Sequence, residues 1–150
     1  MVKGLLDKNG LRLDKILEIL KDCDKNEPYL PKIKQYLSKM QELMKDKPLS
    51  SKNMDIFKSQ LKYLNYSLKN AMQAKTINSN YIACLKLLEP ICDNEDVIYR
   101  RCEYYNVKLF ELSADKQQNA SWQKVFAQKA ISSGYKNIKQ REKDIYNSDQ

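Results

Sequence analysis

The chain is 150 residues long, 42% apolar and 31% charged, which suits one domain that buries a core without disulfides or metal and excludes general disorder. Its 27 Lys+Arg against 19 Asp+Glu give a formal charge of +8, an excess that points to polyanions such as nucleic acid, an anionic membrane surface or an acidic protein. With no histidine, and no G-x-x-x-x-G-K-S/T, G-x-G-x-x-G or G-x-S-x-G, the sequence offers no catalytic, cofactor or metal motif, and no enzyme or small-molecule substrate is expected.

Apolar periodicity predicts an all-α fold, a helical bundle of about six helices. The first helix spans residues 11–22, after the turn-forming Asn9-Gly10, and buries Leu13, Ile16, Leu17 and Leu20. Residues 24–28 are a polar break. The second helix starts near Pro31, because a first-turn proline has no donor to waste. Its stripe is Leu30, Ile33, Leu37, Met40 and Met44, and it ends before Lys47-Pro48. Ser50 and Ser51 suit the N-cap of a long third helix over 52–75, whose apolar positions are Met54, Phe57, Leu61, Leu64 and Leu68. Alternating three- and four-residue steps keep that seam on one narrow face, as in packed bundles.

Residues 76–79 suit a break, and a fourth helix over 80–92 buries Tyr81, Cys84, Leu85 and Leu88, with Pro90 kinking or ending it. Asp93 or Asn94 caps a fifth helix that runs to about 112 and carries a second seam: Ile98, Cys102, Tyr105, Leu109 and Leu112. Residues 114–119 read as a loop. A sixth helix follows with Trp122, Val125, Phe126 and Ala130 as its stripe and Gly134 as its C-cap. Residues 1–134 form the bundle domain, and 135–150 a basic C-terminal helix or tail. No sustained period-2 alternation predicts a strand.

Cys23, Cys84, Cys92 and Cys102 lack C-x-x-C spacing. The last three occupy apolar helix positions, which suits reduced thiols in a cytoplasmic protein, with a disulfide framework as the alternative. No signal-like or membrane-spanning apolar run is present, so no membrane partner is expected.

Charge is uneven. Residues 32–75 carry ten lysines and three acids, residues 116–143 seven basic residues and one acid, and residues 76–115 four basic residues and seven acids. Beside the first seam lie Lys58, Lys62 and Lys69, with Tyr66 further round; beside the second lie Arg101, Tyr104 and Lys108. Cations that neutralise phosphates, interleaved with stacking aromatics, suit a nucleic-acid strand. The alternative is a solvated flank that keeps the chain soluble, and the Lys-, Asn-, Ile- and Tyr-rich composition is also what an AT-rich genome produces. The tail cluster Lys136, Lys139, Arg141 and Lys143 suits a phosphate backbone or an acidic partner, against a frayed terminus. Asp93, Glu95 and Asp96 sit where helix-capping acids belong.

Three features recur in order across residues 31–112: Pro31-Lys-Ile-Lys-Gln-Tyr-Leu, then Leu61-Lys-Tyr-Leu in a long helix, then Cys102-Glu-Tyr-Tyr in a tyrosine-rich helix, with Leu85, Leu87 and Leu88 between the last two. In this order the chain resembles the small α-helical subunit of type III CRISPR–Cas effector complexes. Family members often carry Ala-Gly-Arg where this chain has Ala71-Met72-Gln73-Ala74, and the first helix and everything beyond Leu112 fall outside the likeness. The resemblance implies a non-catalytic subunit that stacks in copies within a larger assembly and grips an RNA backbone through Lys62, Lys69, Arg101 and Lys108. A competing analogy is a tetratricopeptide-like adaptor for an acidic protein, since Asp96-Val97-Ile98-Tyr99-Arg100-Arg101 resembles the start of such a repeat; its small residue, its glycine and a 34-residue period are missing.

Overall fold

A computed structural model describes residues 4–7, 10–45, 48–74, 78–111, 116–132, 134, 136, 139, 140 and 143. Among the described residues these helices follow one another: α1 (Leu13–Leu20), α2 (Leu30–Leu43), α3 (Ser51–Gln73), α4 (Ser79–Asp93), α5 (Glu95–Glu111) and α6 (Lys116–Ser132). The fold is an all-α helical bundle. It carries one addition that alternation could not foretell. Strands β1 (Leu6–Asp7) and β2 (Gly10–Leu11) pair antiparallel, Leu6 opposite Leu11 and Asp7 opposite Gly10. Two residues per strand are too few to show a period of two.

Local chemistry sets most helix ends. Ser50 caps α3, its hydroxyl accepting the Asn53 N–H at 3.2 Å. Asn78 caps α4 in the same way, accepting the Tyr81 N–H at 2.8 Å. Pro31 lies in the first turn of α2, which enters through Tyr29 at φ 66°. Gly134 sits at φ 88° just past α6 and donates its N–H to the Ile131 carbonyl at 3.0 Å, as a C-terminal glycine should. Pro90 lies inside α4, which ends three residues later. The Asn94 amide donates to the Pro90 carbonyl at 2.8 Å at the end of α4, and the Asn94 carbonyl accepts the Ile98 N–H at 2.9 Å at the start of α5. The loop expected over 114–119 is instead helical from Lys116, because Lys and Gln are good helix formers despite their polarity.

α3 is the central element, packed by α2, α4 and α5. Met54, Phe57, Leu61, Leu64, Leu68 and Ala71 are all buried along it, and each large apolar side chain so placed stabilises the fold by about 1.5–3 kcal/mol. Met40, Leu37, Ile33 and Leu30 of α2, Leu85, Leu88 and Ile91 of α4, and Ile16 and Leu20 of α1 complete one core. Of the second seam, Ile98 and Cys102 are buried and Tyr105 and Leu109 half-buried; Leu112 lies outside the described residues. Of the α6 stripe, Ala130 is buried but Val125 is exposed, and the side chains of Trp122 and Phe126 also lie outside the described residues.

α5 runs antiparallel to α3. Asn65 donates to Glu95 at 2.5 Å, Lys58 stands over the Tyr99 ring, and Asn106 reaches Leu49 at the foot of α3. That last contact is double: the Leu49 N–H donates to Asn106 Oδ1 at 2.7 Å, and Asn106 Nδ2 donates to the Leu49 carbonyl at 2.9 Å. A buried amide thereby satisfies both backbone groups of a residue 57 positions away. Replacing Asn106 by Ala leaves both groups buried without partners, and we expect a loss of about 3 kcal/mol, read as a lower urea midpoint at unchanged slope.

Candidate nucleic-acid interface

The basic face lies on the α2–α3 pair. Its two helices are joined by a short connection and pack against each other, with Tyr36 and Tyr63 as a tilted ring pair, centroids 5.7 Å apart at 41°. On the helix cylinder Tyr66 occupies the outward crest of α3, opposite the seam. Lys58, Lys62 and Lys69 line the flank towards α5 and α4, and Gln60 and Tyr63 line the flank towards α2. Tyr66 is 57% exposed and Tyr63 47%, while all three lysines face solvent. A shallow cavity of about 520 Å³ opens between the helices, lined by Gln35, Tyr36, Lys39, Glu42, Gln60 and Tyr63 among others.

The electrostatics follow from which charges are already answered. Among the described residues, Lys32, Lys34, Lys39, Lys52, Lys62 and Lys69 form no ion pair with a carboxylate, and all but half-buried Lys34 are exposed. Lys58 holds its ammonium 4.9 Å from the Tyr99 ring centroid. Three acids of the middle region find partners within the fold. Arg100 pairs with Asp96 at 3.2 Å, Asn65 donates to Glu95, and Lys129 of α6 reaches the buried Glu103 at 3.0 Å. The α2–α3 pair therefore carries a run of exposed lysines that no described carboxylate answers.

The second half of the expected surface needs correction. Arg101 is 4% exposed and Tyr104 8%, so neither borders an open groove. α5 meets α3 through Glu95 and Tyr99, and Arg101 and Tyr104 sit roughly half a turn round the helix from Tyr99. That far side is covered because α6 and the β2 strand both pack on α5. Lys108 remains exposed, its ammonium 5.2 Å from the Tyr104 ring centroid. The two cation sets thus look in different directions. In the tail, Lys136, Lys139 and Lys143 are exposed, Lys139 and Lys143 are helical, and the Lys136 N–H donates to Gln140 Oε1 at 2.6 Å; Arg141 lies outside the described residues.

Sequence reasoning missed Tyr36, Lys39 and Tyr63. Their only signal is position, since each falls on the edge of its helix that the partner helix must approach. Among the described residues no group of His, Cys, Asp or Glu is arranged to hold a metal ion, and no helix is long and apolar enough to cross a membrane.

Cys23, Tyr81 and Cys92, on or beside α4, titrate above their ordinary values. Burial pushes the Cys92 thiol up to about 11, and burial with the neighbouring Cys84 does the same to Cys23. Burial also raises the Tyr81 phenol, whose O–H donates to the Pro28 carbonyl at 2.6 Å. Below the ordinary thiol value of 9.0 both folded and unfolded chains hold the cysteine protons; above it the unfolded chain loses them first, so stability falls as pH climbs from 9 towards 11. Compared with family models, curated proteins and solved structures, the chain matches none.

Buried and exposed cations should separate in a thermal melt. Arg101→Ala is expected to lower Tm by several degrees, because it opens a packed site, whereas Lys62→Ala on the exposed flank shifts it by no more than about 2 °C.

Proposed function

We propose that this chain is a non-catalytic, cytoplasmic subunit of a nucleoprotein assembly that holds a nucleic-acid strand by its backbone, without reading sequence. The observation that supports it is the α2–α3 face: exposed lysines without ion pairs to the described carboxylates, set beside the exposed rings of Tyr63 and Tyr66. Ammonium groups in that state displace the counterions of a phosphate backbone, and exposed tyrosines add stacking that every base can use. The cations of this face are lysines; arginine, whose fork suits bidentate base recognition, is absent from residues 32–75. Lys58, Lys62, Lys69 and Tyr66 form the main contact, Lys39 and Tyr63 extend it, and Lys108, Lys136, Lys139 and Lys143 belong to other parts of the surface. RNA rather than DNA, and protein subunits including copies of itself as further partners, follow from the resemblance to the type III CRISPR–Cas small subunit.

The test is anisotropy titration of a labelled oligouridylate and a labelled mixed-sequence RNA at several salt concentrations. Both RNAs should bind alike, with log affinity falling by about 0.7 per phosphate contact for each tenfold rise in salt. The triple variant Lys39→Ala, Lys62→Ala, Lys69→Ala should flatten that slope by about 2 while its helical circular dichroism stays unchanged. Equal binding by the variant would remove this face from the proposal, and saturable binding to an acidic protein with none to RNA would replace it with the adaptor reading.

A further inference from the structure

We propose that Cys23 and Cys84 are a redox-active dithiol that a low-molecular-weight disulfide converts into an intramolecular bond, clasping the segment between α1 and α2 onto α4. The two sulfurs lie 3.5 Å apart although 61 positions separate them in the chain. The Cys23 thiol donates to Cys84 Sγ, and the Cys84 thiol donates to the Ile19 carbonyl at 3.4 Å. A disulfide requires a sulfur separation of about 2.05 Å, so the pair must close by roughly 1.5 Å. Rotation of the Cys23 side chain supplies that movement: it sits in the irregular stretch after α1, where a single turn bond, from the Cys23 N–H to the Leu20 carbonyl at 3.2 Å, ties its backbone to the helix end. Cys92 has a different partner, its thiol donating to the Asn65 carbonyl at 3.9 Å.

The segment is already moored to α4 at two further points. Tyr81 donates to the Pro28 carbonyl at 2.6 Å, and the Asn78 amide donates to Glu27. A covalent link here reinforces an existing attachment and closes a long loop, the case in which a cross-link restrains the unfolded chain most.

The chemistry balances by thiol–disulfide exchange. The thiolate of Cys84, the more exposed of the two, attacks one sulfur of the small disulfide; that S–S bond breaks, and the leaving thiolate takes up the proton Cys84 gave to water. The Cys23 thiolate then attacks Cys84 Sγ, the Cys23–Cys84 bond forms, and the second small thiolate leaves and is protonated. Two protein thiols are oxidised, and one small disulfide is reduced to two thiols. Burial holds the Cys23 thiol up near 11, which keeps the closing step slow at neutral pH and quickens it in alkali.

The experiment treats the full folded chain with oxidised glutathione at pH 7 and pH 9 and maps it by mass spectrometry without reduction. The expected product is lighter by two hydrogens, joins tryptic peptides 22–25 and 76–86, and forms faster at pH 9. It should melt about 5–10 °C higher than the reduced chain, an increase that reductant reverses. The Cys92→Ser, Cys102→Ser double variant should close identically, and Cys84→Ser should lose both the link and the Tm rise. A stable glutathione adduct at Cys84 without closure, a link through Cys92 or Cys102, closure only in urea, or a disulfide that fails to raise Tm would each overturn the proposal.

Discussion

The apolar stripe of α3 is the surface on which three other helices solve their own burial. Met54 to Ala71 present buried side chains over most of a 23-residue helix, roughly 34 Å long, and no single neighbour of 14 to 17 residues can cover it. α2, α4 and α5 therefore share it, each burying its own stripe in the same core. This arrangement has a consequence for the opposite surface. Neighbours crowded onto the seam and its flanks leave the crest at Tyr66 and the shoulders at Lys62, Lys69 and Tyr63 in water. The core and the candidate interface are two sides of one helix, fixed by one periodicity.

That periodicity is why much of the architecture was legible in the sequence. The α3 seam, the α1 and α2 stripes, the Ser50 cap, the first-turn Pro31 and the Gly134 stop are local signals: apolar spacing marks the stripes, and local hydrogen bonding or backbone geometry sets the helix ends. Arg101 and Tyr104 were illegible for the opposite reason. Their spacing reads as a solvated flank, and only the arrival of α6 and the β2 strand on the far side of α5 buries them. Long side chains can be buried by their stems and rings, so polarity alone misplaces them. The hairpin was too short to register, and the polar start of α6 carried good helix formers that a search for apolar stripes ignores.

Burial of α5 on several sides also explains where the charge surplus ends up. A helix holding Glu103 and Asn106 inside the bundle must satisfy them there, and it does so with Lys129 and the Leu49 backbone. Asp96 and Glu95 are met by Arg100 and Asn65. Carboxylates answered within the fold are not available to compensate the lysines of α2 and α3. Genome composition can supply many lysines; what the fold adds is that Lys62 and Lys69 stand exposed, without a described carboxylate partner, on the same helix surface as the exposed rings of Tyr63 and Tyr66. The placement of charge, more than its total, separates a binding face from a merely soluble one.

The stretch between α1 and α2 shows a different economy. Between Leu20 and Leu30 only Cys23 and Glu27 are buried, so the stretch has little apolar surface with which to hold itself down. It is fastened by polar contacts, Tyr81 to Pro28 and Asn78 to Glu27, and by the thiol pair. Such contacts contribute on the order of 1 kcal/mol each, so this is where a single covalent link changes most. A bond between Cys23 and Cys84 alters a weakly held connection without touching the α3 seam. The basic face on the outer side of α3 would then keep its geometry in both thiol states, and any effect of oxidation on a partner would have to come through the α1–α2 segment or α4 itself.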